Sequence, residues 1–221
     1  MKYKEYNKMS DNPKDDEANT LRGVFIRPLG KIYDFYLTGY IEGPEEYQEW
    51  NQLLRTTSEH DIIYLHINCY GGQALTAVQL MRSISESNAK VIASVEGACM
   101  SAATFIFLMA DMCELSEHSI FMFHNFSGGA IGKGNEMIAQ VQHNEKWGKH
   151  LLNSLYKGFF TPEEIASIIE GKDYWLTADD VSKRLERRNA DNKKVKKSAS
   201  PKKKPLKTVL KNKNKVKLPP E

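Results

Sequence analysis

No apolar run in the sequence reaches membrane-spanning length, and no basic-then-apolar leader opens it. A membrane-embedded or signal-led chain is therefore not expected, and a cytoplasmic setting is (the host cytoplasm, if the chain is virus-encoded). Cysteine is scarce: Cys69, Cys99 and Cys113 are odd in number and form no Cys-x-x-Cys pair, which argues against a disulfide framework and for reduced, packed thiols. No Gly-x-x-x-x-Gly-Lys loop is present, so any ATP dependence must come from a partner. Aromatic residues are missing from residues 187–221, which removes base stacking from what that tail can do.

What is present divides unevenly. The 221 residues carry a net charge of +3, but residues 187–221 hold 14 Lys/Arg against two acids, a net +12, leaving residues 1–186 at −9. The body is an acidic globule, long enough for one good core, with a basic appendage. Residues 1–22 are polar and read as a flexible arm. Residues 23–188 read as one domain, and residues 189–221, rich in Lys and Pro, as a disordered tail.

Within the body, strand and helix signals alternate. Strand-like runs occupy 32–37, 62–68, 91–95 and 119–123, and helical patterns occupy 44–55, 74–85 and the buried segment 104–109. A long amphipathic stretch covers 134–158. Thr161 followed by Pro162 marks a helix start, with Thr161 as N-cap. The alternation predicts an α/β fold of βαβ type with a largely parallel sheet, and ligands belong at the carboxyl ends of such strands.

Two turns fall at that end: Gly71-Gly72 and the small-residue run Gly97-Ala98-Cys99-Met100-Ser101-Ala102-Ala103. A serine on a strand-to-helix turn presents its hydroxyl beside backbone N–H groups that can face a reacting carbonyl. Acyl transfer also needs a base and an orienter for it. His124, closing the strand at 119–123, is the best base; His118 precedes that strand and His66 lies inside another. Asp173, just before Tyr174-Trp175, is the best carboxylate, expected to be partly buried by that pair. Asp179 and Asp180 look like the first turn of the next helix.

These residues resemble the ClpP family, the proteolytic subunit of the Clp protease, within the ClpP/crotonase fold. The family's I-N-S-P-G-G segment corresponds to Ile67-Asn68-Cys69-Tyr70-Gly71-Gly72, and its G-x-A-x-S-M-G-A serine motif to Gly97 through Thr104. Its M-I-H-Q-P histidine falls on Met122-Phe123-His124-Asn125-Phe126, and its D-R-F-L-S-A aspartate on Asp173-Tyr174-Trp175-Leu176-Thr177-Ala178. The resemblance covers roughly residues 32–186. Tyr70, Ala102 and Phe126 depart from the pattern, but none of these changes removes a catalytic group.

The resemblance implies repeated ββα units with a protruding handle helix in 134–158, and a serine endopeptidase that needs neither metal nor organic cofactor. Its triad is Ser101, His124 and Asp173, with the Gly71 and Ala102 N–H groups as oxyanion donors. Gly72, Gly128 and Gly129 are implied as substrate-binding positions, although Gly128-Gly129 also reads as a plain hairpin turn. The implied assembly is a homo-oligomer of stacked rings that encloses the serines and admits peptide or unfolded protein substrates.

Partners stay open between an AAA+ unfoldase and viral capsid or scaffold proteins. The N-terminal arm does not match the family's axial-loop region and the tail is foreign to it. Both departures point to a virus-encoded relative, such as a prohead or capsid-maturation protease working without an ATPase. A catalytically silent ring or scaffold subunit is the reading from another class. The tail reads as a spacer, or as a ligand for nucleic acid or an acidic partner.

Overall fold

Alternating burial along the chain builds the sheet. In the second strand Ile63, Leu65 and Ile67 are buried, while Tyr64 and His66 between them are half-exposed and face the other way. Each fully buried aliphatic side chain contributes roughly 1.5–3 kcal/mol. The computed structural model describes residues 29–198, with side chains as far as residue 190. The expected arm, the start of the expected domain and residues 199–221 lie outside the described residues. The chain falls into two units whose boundary in sequence lies between Phe123 and His124.

The first unit runs β1 (Ile32–Ile41), a 3-10 turn (Pro44–Tyr47), α1 (Gln48–Thr56), β2 (Ile62–Gly72), α2 (Ala74–Glu86), β3 (Lys90–Met100), α3 (Ala103–Phe107), β4 (Met112–Leu115) and β5 (Ile120–Phe123). β1, β2, β3 and β5 lie side by side, and β4 also pairs β3; every one of these pairings is parallel. β3 changes neighbours along its length, pairing β4 over Ile92–Val95 and β5 over Ala98–Met100. The helices cover one face of the sheet, where Leu54, Ala77, Leu80 and Ile106 are buried.

The second unit contains α4 (Gly134–Leu155), α5 (Pro162–Ile169), β6 (Tyr174–Thr177) and α6 (Ala178–Ser198). Its core is aromatic. Tyr156, Phe159 and Phe160 are buried, with ring centroids 5.1 Å apart between Phe159 and Phe160 and 5.3 Å between Phe160 and Tyr174. The α5 start follows its sequence signal: Glu164 N–H donates to Thr161 Oγ1 (3.2 Å), and Thr161 N–H donates back to the Glu164 carboxylate (2.8 Å).

The mixed α/β architecture with a parallel sheet is the expected one. The details differ in three places. β1, β2 and β3 run further than expected, through Ile41, Gly72 and Met100, because their last residues still find ladder partners on neighbouring strands. β4 and β6 are four-residue strands that the apolar pattern did not mark. α6 continues to Ser198, ten residues past the expected domain end at Arg188. Residues 189–198 contain neither Gly nor Pro, so no helix breaker stands in this stretch.

Candidate active site

Ser101 follows β3 directly and is the only non-glycine among the described residues in the left-handed region, at φ 53°. Such a conformation costs about 1–2 kcal/mol and persists only where the surroundings hold it. Here three hydrogen bonds do so. Ser101 N–H donates to Met122 O (2.8 Å), and Ser101 O accepts from both the Thr104 N–H (2.9 Å) and the Thr104 hydroxyl (2.6 Å). The first bond ties the serine to β5, two residues before His124. The turn it makes is a strained strand-to-helix elbow that lacks the glycines usual on both sides.

The Gly71-Gly72 turn closes on this serine from β2. A Cβ added to Gly71 would lie 2.6 Å from Ser101 Cβ and 3.1 Å from its Oγ, and the Gly71 φ of +95° suits glycine alone. Only a residue without a side chain lets the two backbones approach so closely. The Gly71 N–H, an expected oxyanion donor, donates to Cys69 Sγ at 3.4 Å, a weak acceptor. Ala102, the other expected donor, is buried and forms the N-terminal cap position of α3.

The cysteines around this turn are not nucleophiles. Cys69 and Cys99 are register partners on β2 and β3, both fully buried. Burial pushes the Cys69 thiol up, against the Gly71 backbone bond that draws it down. Burial, then the neighbouring Cys69 and Cys113, pushes Cys99 well above the ordinary thiol range. Thiols held this way stay neutral and inert.

Asn68 supports the Ser101 turn in a way that sequence reasoning passed over. Its Oδ1 accepts the Ala98 N–H at 3.0 Å, and a Cβ on Gly97 would strike that oxygen at 2.5 Å. The asparagine thereby braces the stretch of β3 that leads into Ser101. Its signal was its place in the Ile67-Asn68 segment, but Gly97 and Ala98 lie far along the chain and only the strand pairing brings them into contact.

The expected base and its orienting carboxylate fall in the second unit. His124 is half-buried and leads an irregular segment covering residues 124–131. Asp173 precedes β6 and is exposed, as is Trp175 at 61%. The expectation that the Tyr174-Trp175 pair buries this carboxylate is therefore corrected: Trp175 faces out. Asp179 and Asp180 are engaged locally, Asp179 with Lys183 (2.5 Å) and Asp180 with the Thr177 hydroxyl (2.7 Å) and N–H (3.1 Å). They cap and support the first turn of α6. His118 is exposed ahead of β5, and His66 sits on the open face of the sheet between Glu96 and Asp34.

Gly72 is exposed and pairs with Ile41 of β1. Gly128 and Gly129 are exposed with open space around them, in neither a hairpin nor a strand. Among the described residues no group of three or more His, Cys, Asp or Glu side chains is arranged to hold a metal ion, and no helix is long and apolar enough to cross a membrane.

The Clp protease family model matches residues 37–184, about two thirds of the chain. That span runs from within β1 to within α6 and includes every candidate residue described above. No curated protein matches the chain.

Proposed function

This chain belongs to the Clp protease family, and from that premise we propose that it is a serine endopeptidase using Ser101, His124 and Asp173. The observation that carries the reading is the strained Ser101 elbow, pressed by Gly71 and tied to the strand that ends one residue before His124. A hydroxyl held in place beside backbone amides suits attack on a carbonyl; an ordinary capping serine needs no left-handed backbone.

Ser101 Oγ attacks the scissile carbonyl carbon while His124 takes the hydroxyl proton. His124 then gives that proton to the leaving amine, and water repeats the sequence to release the acyl group. Asp173 orients the imidazole and stabilises its charged form. The oxyanion goes to the Ala102 N–H and to the Gly71 N–H, which exchanges its weak sulfur acceptor for a charged oxygen. Each such donor is worth about 3–4 kcal/mol in acyl transfer. Gly72, Gly128 and Gly129 line the peptide path with backbone alone.

Assembly into stacked rings belongs to this reading. The N-terminal half of α4 has no buried residue, while Ile138 and Val141 are 61% and 54% exposed on it. A helix of this kind covers its apolar positions against other copies, and the enclosed chamber restricts substrates to peptides and unfolded chains. Hydrolysis of a short fluorogenic peptide by the full chain tests the reading. Ser101→Ala and His124→Ala should each lower kcat by about a thousandfold or more. Unchanged hydrolysis in Ser101→Ala contradicts it, and a folded wild type that hydrolyses no peptide favours the silent ring subunit.

A further inference from the structure

Asn125, beside His124, makes a hydrogen bond that spans 44 residues. Its Nδ2 donates to Ile169 O at 2.9 Å, while its Oδ1 accepts the Phe126 N–H at 2.9 Å, so both ends of the carboxamide are used. Ile169 is the last residue of α5, and carbonyls at a helix end lack helical donors. From Ile169 the chain reaches Asp173 through a turn with little slack. Glu170 N–H donates to Ala166 O (2.9 Å), Gly171 N–H to Ile168 O (3.0 Å) and Lys172 N–H to Ser167 O (2.9 Å). Gly171 takes the left-handed φ of +106° that this turn needs.

The other side of the bond is equally fixed. The Phe126 ring lies on α4 where a Cβ on Gly148 would come within 2.4 Å of it, and it meets Trp147 edge-on at 6.4 Å. Segment 124–126 and turn 169–173 are thus two pinned pieces of one unit, and the Asn125 side chain ties one to the other.

We propose that Asn125 is a positioning residue that holds the segment bearing His124 in register with the turn bearing Asp173. The proposal rests on the peptidase reading above, because it assigns Asn125 to the pairing of that base with that carboxylate. Losing the carboxamide removes this tie and loosens the register of one piece against the other. Misplacements of about 1 Å at a catalytic pair cost on the order of a hundredfold in rate.

The test measures kcat and KM on a fluorogenic peptide, together with urea midpoints, for the full-length protein and its Asn125→Ala and Asn125→Gln variants. Asn125→Ala should lower kcat about ten- to a hundredfold with KM little changed, and Asn125→Gln, which keeps a carboxamide, should recover most of the loss. If Asn125→Ala does not fold, Asn125→Asp takes its place. It keeps the shape and the acceptor for Phe126 but lacks the donor to Ile169, and the same kcat loss is expected.

Wild-type kcat in the donor-less variant overturns the proposal, as does a loss that Asn125→Gln fails to rescue. Ser101→Ala, run in parallel, separates the two levels. If hydrolysis depends on Ser101 while Asn125→Ala keeps full kcat, only the positioning role falls. If Ser101→Ala is as active as wild type, or wild type is inactive, the peptidase reading falls and takes this role with it.

Discussion

His66 sits at the centre of the open sheet face. Its Nδ1 lies 2.6 Å from Glu96 Oε1 and its Nε2 3.1 Å from Asp34 Oδ1, so one imidazole bridges β1 and β3 across β2. Tyr36 stacks on its ring with centroids 4.7 Å apart. The Glu96 bond pulls the histidine upward, with Asp34 helping, against a smaller opposing effect of burial. A histidine raised in the folded state contributes stability that is complete below its unfolded value of about 6.5 and is lost as pH rises through the folded value. The stability difference between wild type and His66→Gln, measured by urea unfolding, should therefore hold below about pH 6.5 and shrink as the pH is raised above it. Both carboxylates are about half exposed (side-chain values of 51% for Asp34 and 53% for Glu96), so added salt should shrink the difference too. A difference that does not shrink as the pH is raised contradicts the bridge.

Arg184 plays the corresponding part between elements. It meets Glu164 with two hydrogen bonds of 2.8 and 2.7 Å, reaches Phe159 O at 3.4 Å and lies over the Phe160 ring at 4.6 Å. Both side chains are mostly buried, at 18% and 23% exposure, and the guanidinium holds the Glu164 carboxyl below its usual range. Arg184→Ala removes these contacts joining α6 to α5 and to the turn before it, leaving a desolvated carboxylate. It should cost about 1–3 kcal/mol in denaturant unfolding. No loss of stability contradicts the account of this unit. The pair is not visible in the sequence, since its members are 20 residues apart on different helices. What could be read were features carried by neighbouring residues: the Thr161-Pro162 start of α5, the strand-like run of β2 and the small residues around Ser101. Features that depend on distant pairing stayed hidden. The short strands β4 and β6 bury none of their residues fully, unlike the equally short but apolar β5, so no run marked them. Asn68 and Asn125 look like ordinary polar residues until strand register and helix packing bring Ala98 and Ile169 to them. The four motifs carried the family because they are local, while the exposure of Asp173 depends on where Trp175 packs.

For the molecule as a whole, the charge division and α4 bear on assembly. With only Gly148, Leu152 and Leu155 buried, α4 has no buried residue over its N-terminal half. Ile138→Glu combined with Val141→Glu places charge where the ring-stacking proposal needs apolar contact. Sedimentation should then move from a large assembly to smaller species, with the urea midpoint unchanged. A wild-type protein that sediments as a monomer at micromolar concentration contradicts the chamber.

The account stands or falls on whether Ser101 is an activated nucleophile. The direct measurement treats the full-length protein and its Ser101→Ala variant with a fluorophosphonate probe and locates the adduct by mass spectrometry. An adduct on Ser101 of the wild type, absent from the variant, is the predicted result. A folded, assembled wild type that takes no label at Ser101 contradicts it.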